Sequence, residues 1–280
     1  MVPYVSPAIF TLNGGANFAV LYEGAGGNAL QFNRGTISGD IGVAGTGQLQ
    51  LSGGAANTII NGNARFAGPV NHTGTAGTDF AISGSFIGND STVQPAMNSL
   101  NSLNSTLGAE TGTSVAVNIA NGGSQTINAS SGTLDGSGNR VFTVSSMNFV
   151  NGATLTLNGS VSDYMVLNIG FSPSFGGTIN LTGGITSDHV LFNLVGGSGL
   201  TGGPTLTFAA NGATEQGTFL DPNGTISMDN TVLDGRLFGG DTHNMSIVSG
   251  SSVFAPVPEP ATFALAGLGA AVLLIFRRRK

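Results

Sequence analysis

The sequence predicts an all-β solenoid, a β-helix of short strands with one helix packed alongside it, followed by a C-terminal transmembrane helix. Three observations carry this. Ile37-Ser38-Gly39-Asp40-Ile41, Ile60-Asn61-Gly62-Asn63-Ala64 and Ile82-Ser83-Gly84-Ser85-Phe86 repeat one motif, with glycines 23 and 22 residues apart. A period in the twenties with Gly/Asn corners marks coils that bury their inward side chains only against the coils above and below. A second motif recurs at an offset of 25, Ser162–Ile169 against Ser187–Leu194. Finally, charged residues are only 8% of the chain, hydrophobic residues are 40%, and 46 of 280 residues are glycine. Disorder needs high net charge and few apolar residues, whereas many short strands need this mixture of apolar residues and turn formers.

Taken in order, Met1 to Phe32 holds no Lys or Arg and no long apolar run, so the basic n-region and apolar h-region expected of an exported chain are not read there. The expectation is a truncated start, with Asn17–Leu21 already the first strand of the mature domain. In the first repeats, inward Ile alternates with outward Ser and Asn, so Ile37, Ile60 and Ile82 are expected buried in successive coils. Val93, Met97, Leu100, Leu103 and Leu107 then step by four, three, three and four, which predicts a helix over about 93–107 lying along the solenoid. Ser91-Thr92 supplies its cap, Pro95 falls in the first turn, and Gly108 ends it. Strands resume at Ser114–Ile119, Val141–Val144, Thr154–Leu157, Tyr164–Ile169, Thr178–Leu181, Val190–Val195, Thr205–Phe208, Thr225–Met228 and Leu233–Phe238. The 25-residue repeat places Asn168 over Asn193, a predicted asparagine step.

The end of the chain is built differently. Pro258-Glu259-Pro260 is followed by an uncharged run, Ala261 to Phe276, and then by Arg277, Arg278, Arg279 and Lys280. The run is 16 residues, roughly 24 Å of helix, and the cations behind it form a stop on the cytoplasmic side. The division expected is a solenoid over 1–251 and a tail over 252–280. This tail resembles the PEP-CTERM sorting signal of exported proteins from Gram-negative bacteria that make extracellular polysaccharide. The resemblance implies an exosortase as partner, transient anchoring in the inner membrane, and final residence at the cell surface or in the extracellular matrix. The strand-rich half, helix and longer strand-rich half resemble the bacterial ice-binding β-solenoids and the related choice-of-anchor A domains. Phe219–Ile226 with Leu233–Phe238 looks like the closing coil of the latter.

Composition also removes function classes. Without Val257–Lys280 the chain has four Arg, no Lys and thirteen acids, a formal charge of −9, which argues against nucleic-acid binding. The absence of cysteine excludes disulfides, thiol catalysis and thiolate metal sites. His72, His189 and His243 read as loop residues, and Asp135, Asp221, Asp229 and Asp234 as turn formers, so no catalytic residue, metal site or cofactor is predicted. Thr154 with Thr156 and Thr205 with Thr207 set paired hydroxyls on one strand face and are the candidates for meeting ice or sugar. The leading reading is a non-enzymatic surface or matrix protein associated with extracellular polysaccharide. An ice-binding protein is the alternative, and a polysaccharide-active enzyme the third.

Overall fold

A computed structural model describes residues 9–196, 203–209, 212–240 and 243–256. Alternation builds it. In Ala29–Asn33 and Gln48–Ser52, Leu30, Phe32, Leu49 and Leu51 point inward and are buried, while Gln31, Asn33, Gln48 and Gln50 point outward. Each turn of the chain visits three faces in the same order and closes around a single apolar interior. We name the faces by what lies on them: the covered face under the helix, the amide face, and the threonine face. Pairing is parallel throughout the described residues, except where Thr133–Leu134 runs antiparallel to Arg140–Phe149.

The stacking order is not the chain order. On the covered face, Thr113–Ile119, Arg140–Phe149, Met165–Ile169, Val190–Leu194, Thr214–Asp221 and Val232–Gly239 stack in succession. The next strand is Phe18–Tyr22, paired directly on Val232–Gly239, and then come Asp40–Val43, Ala64–Phe66 and Phe86–Ile87. The N-terminal coils therefore extend the stack beyond the C-terminal ones. An unbroken inward ladder crosses this seam: Phe142, Leu167, Phe192, Phe219, Leu237, Val20, Ile41, Ala64, Phe86. Ile37 pairs with Ile60 and Ile60 with Ile82, as the repeat requires; the first two are fully buried and Ile82, on the last coil, is half-buried. Their glycines form the corner between the threonine and covered faces. A methyl on Gly62 would stand 2.4 Å from the Gly39 carbonyl oxygen, and one on Gly84 2.5 Å from that of Gly62.

The helix Val93–Gly108 buries Val93, Ala96, Met97, Leu100, Asn104 and Leu107. It meets the outward residues of the covered face, including Val141, Val166, Leu191, Leu220 and Phe238, in a second apolar cluster. Asn168 and Asn193 stack in register, and the Asn193 amide donates to Asn168 Oδ1 at 2.8 Å. The step faces the helix: Asn104 donates to Asn193 Oδ1 at 2.7 Å, and Asn168 donates to the Leu107 carbonyl at 2.7 Å.

Three expectations change. The Thr92 side chain does not cap the helix; its hydroxyl donates to Asp90 at 2.6 Å, and Arg65 reaches the same carboxylate at 2.9 Å. Phe219–Phe238 is not a closing coil, because Phe18–Tyr22 stacks beyond it. Ser252–Phe254, assigned to the tail, is a strand of the solenoid between Val232–Asp234 and Ile37–Ser38. No helix among the described residues is long and apolar enough to cross a membrane. The expected transmembrane helix over 261–276, Pro258, Glu259, Pro260 and the Arg277–Lys280 stop lie outside the described residues.

Candidate functional site: two uncharged faces

The helix occupies one side of the coil, which leaves two sides to meet a partner. On the amide face, seven strands stack: Ser174–Phe175, Leu206–Phe208, Ile226–Asp229, Met245–Val248, Ala29–Asn33, Gln48–Ser52 and His72–Thr73. Their central outward column runs Ser174, Thr207, Ser227, Ser246, Gln31, Gln50, Thr73, one residue per rung at about 4.8 Å. The amides along it are tied to their neighbours. Ser246 Oγ donates to Gln31 Oε1 at 3.1 Å, Gln50 Nε2 donates to Gln48 Oε1 at 2.9 Å, and Asn33 Nδ2 donates to Ser52 Oγ at 2.8 Å. Such cross-bonding holds long side chains that would otherwise lose rotamer freedom on contact. Asp229, exposed at one edge, is the single charged residue in these seven strands.

The threonine face carries a smaller array where Ser124–Asn128, Thr154–Asn158 and Thr178–Thr182 stack. Ser124, Thr154 and Thr178 form one row, Thr126, Thr156 and Asn180 the next, and Asn128, Asn158 and Thr182 the third. Leu155, Leu157, Ile127 and Ile179 turn inward and hold the array flat against the core. The four threonines singled out in the sequence thus divide between two faces: Thr154 and Thr156 sit in this array, Thr207 in the amide-face column, and Thr205 exposed beside it. The glutamines of the amide face carry no motif, and only the alternation in Ala29–Asn33 and Gln48–Ser52 could have revealed them.

Apart from His72 and Asp229 on the amide face, the titratable groups lie outside the strands of both arrays. Asp135 accepts from the Ser137 and Asn139 backbone amides at 2.8 Å each, the turn role expected of it. His189 stacks on Tyr164 at 3.9 Å, and burial holds its pKa below the usual value against the pull of Asp188. Glu215 and Asp221 are fully buried, and burial raises both carboxyl groups, Asp221 to about 8. Among the described residues, no three His, Asp or Glu side chains converge to hold a metal. The chemistry that both outward faces present is hydrogen bonding by uncharged groups.

Comparison with known proteins gives the same architecture. Residues 8–249 match the family described as "Putative Ice-binding-like adhesive domain", and residues 256–280 match the PEP-CTERM protein-sorting motif. Among solved structures, the chain is similar to an ice-binding protein from the Antarctic ascomycete Antarctomyces psychrotrophicus, at 17% identity and a TM-score of 0.59, covering 89% of this chain and 98% of that one. It is similar to an ice-binding protein from an Antarctic biological consortium at 18% identity and a TM-score of 0.60, covering 92% and 96%. The DUF3494 domain of ice-binding protein 1 from Shewanella frigidimarina is 14% identical with a TM-score of 0.56, covering 90% and 100%. At these identities the likeness is one of fold. No curated protein matches the chain.

Proposed function

The chain belongs to the ice-binding-like adhesive domain family and ends in a PEP-CTERM motif that marks it for export and exosortase processing, and from that membership we propose that it is a non-enzymatic adhesive module of the cell surface. Its ligand in this reading is a neutral extracellular polysaccharide. The observation that carries the reading is the amide-face column, seven rungs of hydroxyl and amide side chains with one carboxylate at the margin. Sugar hydroxyls are met by side chains that both donate and accept, and amides do this in pairs. The formal charge of −9 outside the tail repels an acidic polymer, which selects a neutral one. The column changes from short hydroxyls to long amides at Gln31, and long paired amides suit the hydroxyls of a sugar chain.

Ice binding is the second reading, supported by the regular array around Thr154 and Thr156. One comparison separates the two. The purified protein is mixed with an insoluble neutral glucan, and separately its ice-recrystallisation inhibition is measured at the same concentration. Retention on the glucan without recrystallisation inhibition supports adhesion; inhibition of recrystallisation without glucan retention overturns it in favour of ice.

A further inference from the structure

The sorting tail leaves the solenoid at a fixed place. Ser252–Phe254 is hydrogen-bonded on both edges, and the Ala255 amide donates to the Ser38 carbonyl at 3.1 Å. Arg236, 2% exposed, donates through Nη2 to the carbonyls of Pro256 and Ala16, each at 3.2 Å, while its Nη1 pairs with Asp188. The backbone is therefore clamped as far as Pro256. A methyl on Gly39 would lie 3.3 Å from Ala255 Cβ, so this exit is at the corner where the glycine column separates the threonine face from the covered face. In a three-sided coil that corner is opposite the amide face.

The exit is also far from either end. Three strands, Gly35–Ser38, Thr58–Asn61 and Ala81–Ile82, lie beyond it on one side. On the other lie the long strands Val232–Gly239 and Thr214–Asp221 and then the three of the threonine array. Only Val257 to Pro260 separate Pro256 from the apolar run at Ala261, a reach of at most about 14 Å. Three strand spacings are also about 14 Å. A tail of this length is used up in reaching the nearer end, with nothing left to cross a headgroup layer of about 5–7 Å, so an upright solenoid would draw the apolar run out of the hydrocarbon core.

We propose that, while the tail is in the bilayer, the solenoid lies on its side with the threonine/covered corner against the lipid headgroups and the amide face directed outward. This rests on the reading that the tail is membrane-inserted. The anchor would then present the adhesive column to the exterior before any processing.

The chain has no cysteine, so single-cysteine variants label cleanly. Asn61→Cys at the corner, Thr73→Cys on the amide face, Asn121→Cys near one end and Thr78→Cys near the other are all exposed. The full chain, carrying an environment-sensitive fluorophore at each in turn, is reconstituted into phosphatidylcholine vesicles containing a headgroup-level quencher lipid. Circular dichroism matched to the unlabelled chain confirms folding, and flotation of the vesicles reports anchorage. The expected result is quenching at least twofold stronger at Asn61 than at Thr73, with both end positions between them. Flotation with equal quenching at all four positions, or strongest quenching at Thr73 or at one end, overturns the orientation and leaves anchorage intact. Failure to float overturns anchorage and the orientation with it.

Discussion

Glu215 and Asp221 place carboxyl groups where the alternation of a strand calls for apolar ones. Glu215 pairs in register with the core residue Leu233, and burial raises its pKa well above the usual value, with the Ile179 backbone pulling the other way. Burial raises Asp221 to about 8 against the backbone amides of Gly224 and Leu206. A raised folded-state pKa means that the unfolded chain gives up its proton first as pH rises. The contribution is then fully present below about pH 4 and is lost as pH climbs through the folded values, toward 8 for Asp221. We expect the melting temperature to fall by roughly 5–10 °C between pH 5 and pH 9, and Asp221→Asn to flatten that slope; thermal unfolding across pH checks it. A melting temperature constant over this range would contradict the burial of both groups. The turn sequence Asp221-Pro222-Asn223-Gly224 is legible, but the burial is not, because it comes with stacking on the neighbouring coil, where Asp221 pairs with Gly239. The Asn168–Asn193 pair was legible from the 25-residue offset, whereas Asn104, which completes the chain of amides, is a polar residue on the buried stripe between Leu100 and Leu107, and the apolar spacing passes over it. Asn193→Ala leaves the buried Asn168 Oδ1 without its donor and takes away one of the two acceptors of Asn104 Nδ2, and chemical denaturation should show a loss of about 2–4 kcal/mol.

At the scale of elements, spacing was a sound guide wherever apolar residues carried it. The helix follows its Val, Met and Leu steps, and Leu100 is fully buried, so Leu100→Ala should cost about 3 kcal/mol in the same measurement. Ala29–Asn33 and Gln48–Ser52 escaped the reading because their alternation is leucine and phenylalanine against glutamine and asparagine, a pattern with little contrast in so uncharged a chain. The corner glycines show why the repeat is spelled with glycine. At Gly62 any side chain would enter the Gly39 backbone, so coils can stack at the ~4.8 Å spacing only without it. Gly62→Ala is expected to lower the melting temperature by several degrees, while Gly136→Ala, whose methyl meets nothing within 4 Å, leaves it within about 1 °C.

At the scale of the whole molecule, the repeats announced coils but not their order. Nothing local in Phe18–Tyr22 says that its partner is Val232–Gly239, more than two hundred residues away; that pairing is set by two coil ends that each need cover. The strand Ser252–Phe254 lies at this seam, and Val253 is fully buried there. A chain ending at Ser251 should lose cooperative unfolding or drop sharply in stability, while one ending at Pro256 should unfold like the full chain. The central claim concerns the outward side of this stack, where uncharged groups wait in a column. Affinity electrophoresis through gels containing a soluble neutral glucan measures it directly, using the wild type, the double variant Gln31→Glu/Gln50→Glu, and Thr156→Glu on the threonine face. The account predicts retardation of the wild type, affinity at least tenfold weaker in the double variant, about 1.4 kcal/mol, and Thr156→Glu within twofold of wild type. A wild type that migrates as freely as it does without glucan, or a double variant retarded as strongly as the wild type, would contradict it.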